Sequence, residues 1–258
     1  MFMANGTGTA NWGVRVYGLA AILLGAIGMK WGDFAAVWQP VPEGLAHRGA
    51  LAYLAAILFL CAGLAVQFER TRAAGALVLG LLYVPYALLW ARRVVGFPQM
   101  IGTWSGTGEQ VALVTAGPLA WEQFARRGKG SVRGLAVVCR ILFGLSFVSL
   151  ALVHWIALKE TAGFVPKWIP PGQRFWAIAT GVFHMMAGVA IGSGLLGKLA
   201  GRLLTAMIAG FGLLIWLPAL VASPKDHFVW CANAVNLALL GAAWVVADAF
   251  AASERRNV

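Results

Sequence analysis

Of the four histidines in the chain, His154 and His184 lie inside otherwise apolar stretches, and His227 lies just before another. Imidazole is the side chain that exchanges protons near neutrality, and an ionisable group at membrane depth is costly enough that it usually faces a protein interior. With Asn233, a short way into the last apolar stretch, these residues make a candidate pocket. Histidine and asparagine can hydrogen-bond the carbonyls of a quinone and handle its protons, while Trp176, Phe183 and Trp230 can wall the ring and Trp168 can cap it from a proline-rich loop. The competing chemistry is haem or metal ligation by two imidazoles. It is disfavoured because no acid stands close in sequence to orient such ligands, apart from loop residues Glu160 and Asp226. No metal site is therefore expected. A buried histidine can also do no more than bond a neighbouring helix, for about 0.6–2 kcal/mol. No self-sufficient catalytic set is visible either. The serines lack a base–acid pattern, and Cys61, Cys139 and Cys231 sit in apolar runs without a CxxC.

The elements that must carry these side chains follow from composition. Sixty per cent of the 258 residues are apolar and 11% are charged, against roughly 45–50% and about 25% in an ordinary soluble chain. Eight stretches approach the length of about 20 residues that spans a bilayer as helix: 12–29, 49–68, 73–90, 108–124, 141–158, 175–197, 203–221 and 228–247. They are continuous rather than alternating, which excludes a membrane barrel and makes the expected fold all-α. In this reading Glu109 and Glu122 flank the fourth span, and the glycine-rich segments 102–108 and 192–194 are turns, since neither follows a strand as a phosphate loop would. His184 falls nine residues past Phe175, about 13 Å deep at 1.5 Å per residue.

A net charge of +11 would suggest nucleic acid in a soluble protein, but here the basic residues separate apolar runs. They read as orientation signals and contacts to anionic lipid. The cluster Arg126, Arg127, Lys129 and Arg133 places both termini in the cytoplasm, although Arg92 and Arg93 fall on the opposite side. The first fifteen residues lack the charged start and cleavage site of a secretory signal, so the first helix is expected to remain.

The sequence also repeats itself at an offset near 125 residues. Arg15 answers to Arg140, Ala62-Gly63 to Ala187-Gly188, Pro98 to Pro224 and Trp121 to Trp244, with proline-tryptophan loops at 38–42 and 165–171. The expected organisation is a four-helix membrane repeat over 1–125, a basic linker over 126–134 and a second repeat over 135–258. An even number of spans per copy gives both the same orientation, so the fold is eight transmembrane helices in two parallel four-helix bundles. The first copy holds Met29 and Phe59 where the second holds His154 and His184.

These features resemble the DoxX-like family of four-helix membrane proteins of bacteria and archaea. The resemblance lies in the helix from Arg140 to His154, the loop Val165-Pro166-Lys167-Trp168-Ile169-Pro170, the stretch Thr180-Gly181-Val182-Phe183-His184 with Ala187-Gly188, and Pro218. It covers about 137–250 well and 12–124 more faintly. It departs from the family in its tandem form and in histidine at 184, where many members carry an acid. The resemblance implies a bacterial or archaeal cytoplasmic-membrane protein, not catalytic on its own, serving as an accessory or quinone- or lipid-binding subunit of a membrane redox complex. A small-solute or lipid transporter is the alternative, weakened by the expected absence of acids within the spans. A purely structural scaffold is the third reading.

Overall fold

The computed structural model describes residues 11–125 and 131–254. Helix accounts for 82% of the described residues, and no strand occurs among them. The helices are α1 (Trp12–Trp31), α2 (Arg48–Gln67), α3 (Arg72–Gly96), α4 (Ile101–Phe124), α5 (Ser131–Ile156), the short α6 (Leu158–Phe164), α7 (Gln173–Ser193), α8 (Gly197–Phe211), α9 (Leu217–Ala222) and α10 (His227–Glu254). A π-helical turn, Gly212–Trp216, joins α8 to α9 as one continuous rod. Seven of these rods are long and apolar enough to cross a membrane: α1, α2, α3, most of α5, α7, the α8–α9 rod and α10. Large apolar side chains such as Leu81, Leu145, Met186 and Leu203 stand exposed on them, the pattern expected where lipid rather than water is the solvent. The protein is a polytopic helical membrane protein.

Helices pack in a closed circuit. α1 lies on α2, α2 on α3, α3 on α4, α4 on α5, α5 on α7, α7 on α8 and α8 on α10, and α10 returns to α1; α4 and α10 also touch across the middle. Lipid supplies no hydrophobic drive between helices, so close backbone approach at small residues takes over. A Cβ on Gly63 of α2 would sit 2.6 Å from the Gly18 carbonyl and 2.9 Å from the Ile22 nitrogen of α1. A Cβ on Gly188 of α7 would sit 2.6 Å from the Gly144 carbonyl and 2.9 Å from the Val148 nitrogen of α5. Gly241 of α10 likewise rests on the Tyr17 backbone of α1.

Several boundaries depart from expectation. Segment 102–108, expected as a turn, is the first two turns of α4. Two of its three glycines serve packing rather than turning: Gly106 lies under the Trp90 ring and Gly108 against the Ser146 carbonyl. Glu109 is consequently eight residues inside a helix instead of at its end. The second expected turn is half correct, because Gly192 and Ser193 finish α7 and Gly194 caps it in the left-handed conformation (φ 84°). The basic linker expected at 126–134 is helical from Ser131 onward, whereas Arg126, Arg127 and Lys129 lie outside the described residues, as do Arg255 and Arg256 at the C-terminus.

One local device was not foreseen. At the starts of α4, α7 and α10 a proline is followed six residues later by tryptophan, and each indole N–H donates to that proline's carbonyl: Trp104 to Pro98 (2.9 Å), Trp176 to Pro170 (3.0 Å) and Trp230 to Pro224 (2.8 Å). Proline suits a helix start because it has no N–H to leave unpaired, and the indole then occupies the carbonyl that precedes the first turn.

Candidate functional site: a buried histidine pair

His154 is two residues from the end of α5, and His184 is midway along α7. The two helices converge because Gly181 of α7 allows Trp155 and the His154 Cβ to come within contact distance, where a Cβ on residue 181 would meet them at 2.5 and 2.9 Å. The imidazoles end 5.0 Å apart, centre to centre, inclined at 47°. His184 is buried, 5% exposed. Phe147 of α5 at 5.6 Å and Phe211 of α8 at 6.0 Å wall it.

Hydrogen bonding fixes one ring. His154 Nδ1 lies 3.2 Å from the Ala177 carbonyl oxygen and 3.2 Å from Thr180 Oγ1. A carbonyl only accepts, so Nδ1 carries the hydrogen and Nε2 keeps its lone pair. Thr180 Oγ1 donates back to the Trp176 carbonyl at 2.7 Å. His184 is different: its Nδ1 is buried without a hydrogen-bond partner. Leaving a buried polar atom unpaired costs about 1–3 kcal/mol, so an arrangement that keeps one is poised to take a partner from a ligand. The pair thus offers an acceptor on His154 and an unpartnered nitrogen on His184, inside an aromatic wall.

The remaining pocket candidates lie elsewhere. His227 stacks on Trp31 of α1, with ring centres 5.0 Å apart and 18° between planes, and Trp230 leans on the same indole at 6.5 Å. Asn233 donates to the Trp216 carbonyl and to Val229, each at 2.9 Å, so it braces the π-helical turn. Trp168 is 72% exposed and Phe183 51% exposed, and Trp176 is tied to Pro170. The aromatic wall comes instead from Phe147 and Phe211. No group of three or more metal-ligating side chains forms among the described residues.

A second polar site occupies the other half of the circuit. The loop between α1 and α2 tucks Phe34, Ala35, Gln39 and Pro40 into the interior. Trp38 Nε1–H donates to Glu109 Oε2 at 2.9 Å and its ring stacks on Phe228 at 5.3 Å. Asp33 pairs with Arg48 and also accepts from the Phe34 N–H at 2.6 Å. The signal missed in the sequence was the helical reach of the glycine segment before Glu109. Compared with protein-family models, curated proteins and solved structures, the chain matches none.

Proposed function

We propose that this protein is a DoxX-like accessory subunit of a membrane redox complex, not catalytic by itself, whose second repeat binds a quinone at His154 and His184. The observation that carries the reading is the unpartnered His184 Nδ1 beside a lone pair on His154. A quinol hydroxyl donates to such a nitrogen, and a quinone carbonyl accepts from it when it bears the proton. Phe147 and Phe211 would hold the ring and exclude water, while the Ala177 carbonyl keeps His154 in one tautomer and Thr180 its ring in orientation.

The architecture we propose is eight spans in two parallel four-helix repeats with both termini cytoplasmic, α4 being the eighth span. Two features support the repeat. The glycine crossings of α1–α2 and α5–α7 carry the same pair of distances, and the circuit of helix contacts maps onto itself when α1, α2, α3 and α4 exchange with α5, α7, α8–α9 and α10. The test is titration of a short-chain benzoquinone into the protein in lipid nanodiscs, read by quenching of its tryptophans. Saturable binding that His184→Phe, the first-copy counterpart, abolishes supports the reading. Binding that is absent, or unchanged in that variant, rejects it.

A transporter remains the second reading because Glu109 lies two turns inside α4 beneath a loop tryptophan, and carboxylates within spans couple transport to protons or sodium. Solute flux in proteoliposomes that Glu109→Gln abolishes would favour it over quinone binding.

A further inference from the structure

The α10–α1 and α4–α5 contacts are counterparts in the proposed repeat, but only one is filled. Between α10 and α1, Trp31 stacks on His227 beside Trp230, and the Lys30 ammonium lies 4.2 Å from the Trp31 ring centre. Between α4 and α5 the residues at the matching offsets are Ile156 for Trp31, Ile101 for His227 and Trp104 for Trp230. Two large rings are replaced by two isoleucines, and a groove of 590 Å³ opens there, rimmed by Pro98 and Gln99 and lined by Ile101, Trp104, Leu152 and Ile156. It faces the bilayer side of the bundle, where Leu145 and Ile156 stand exposed. Its floor is held by Ser149, whose hydroxyl donates to the Trp104 carbonyl at 3.1 Å.

Basic residues flank the groove-lining segments in sequence. Arg92 and Arg93 lie near the C-terminal end of α3, six and five residues before the rim residue Pro98, and the Arg93 guanidinium lies 4.8 Å from the Trp90 ring centre. Lys159 follows Ile156 by three residues on the other side. All three are exposed, and among the described residues none pairs with a carboxylate.

We infer that the α4–α5 groove binds one anionic phospholipid, an acyl chain lying in the apolar slot and the phosphate at Arg92, Arg93 and Lys159. Water gains nothing from an apolar slot, and an apolar groove open to the bilayer takes a lipid tail; three exposed cations close to its lining in sequence, none paired with a carboxylate among the described residues, favour an anionic headgroup. This site lies on the face of α5 away from His154 and does not depend on quinone binding.

Native mass spectrometry of the full chain, delipidated in mild detergent and reloaded with an equimolar mixture of phosphatidylglycerol and phosphatidylcholine, tests it. The wild-type chain should retain a single phosphatidylglycerol, preferred by about tenfold or more, the order that two or three basic side chains supply towards an anionic headgroup. Ile156→Trp, which restores the filled arrangement, should lose the adduct, and Ile101→Trp serves if that variant does not fold. Joint Arg92→Gln and Arg93→Gln should keep a lipid but equalise the headgroups. Wild-type adducts in both tryptophan variants, or equal non-stoichiometric binding of both lipids by the wild type, would overturn the inference. Benzoquinone quenching on the same samples reads the histidine pair separately, so the failure of one site is distinguishable from that of the other.

Discussion

Thr180 and Ala177 hold His154, and no group among the described residues holds His184 Nδ1. Replacing Thr180 with Val should therefore loosen the orientation of the His154 ring while leaving the Ala177 bond and the tautomer it sets. Benzoquinone affinity should fall several-fold, and stability should drop by no more than about 1 kcal/mol, the usual worth of a side-chain bond between membrane helices; titration and thermal unfolding in detergent would measure both. At Trp38, Glu109→Gln keeps an acceptor for the indole and should be mild, whereas Glu109→Leu removes it and should cost about 1–3 kcal/mol. A Leu variant as stable as the Gln variant would show that the bond contributes nothing. The two histidines stood out in the sequence because an ionisable residue in an apolar run is conspicuous, but that they meet did not follow from it. Nor did their wall: whether Phe147 or Phe183 faces His184 depends on how α5 and α7 are rotated, and packing at Gly144, Gly181 and Gly188 sets that. Trp176 and Trp230 looked like ring walls, but their indoles close onto prolines six residues earlier, a local pairing that apolar patterning does not reveal.

At the scale of helices, most spans could be read directly from unbroken apolar runs, because membrane helices need little else. The start of α4 could not, since a run of Gly, Thr and Ser suggests a turn until Trp90 and Ser146 are seen lying against its glycines. The π-helical turn was equally hidden. It precedes Pro218, which cannot donate to the carbonyl four residues earlier, and Asn233 and Asn236 reach across from α10 to the Trp216 and Ile208 carbonyls. Asn233→Leu should destabilise the α8–α9 rod against α10 by about 1–3 kcal/mol through an unpaired carbonyl, without changing benzoquinone affinity; lost binding with unchanged stability would instead return Asn233 to the ligand site. The two glycine crossings make a paired prediction. Gly63→Ala and Gly188→Ala each force a Cβ onto a backbone oxygen at 2.6 Å, so each should cost about 1–3 kcal/mol by overpacking. Detergent unfolding that shows one crossing tolerant and the other not would argue against equivalent copies.

Across the whole molecule, the helix circuit places the histidine pair in one half and the Trp38–Glu109 contact in the other. In the proposed duplication, drawn from an offset of 125 residues, the two halves differ at His184 against Phe59 and at Trp31 against Ile156. Orientation was read from basic residues alone, and reporter fusions at both termini should find both in the cytoplasm; an external terminus would invert the depth assigned to the histidines. The proposed role is that of a quinone-binding accessory subunit. Its most direct test is native mass spectrometry of the chain released gently from its own membrane. Quinone and at least one further subunit should travel with the 27.4 kDa chain in fixed ratio, the quinone being lost in His184→Phe. A chain that flies with phospholipid alone would contradict the claim and direct attention to Glu109 and transport.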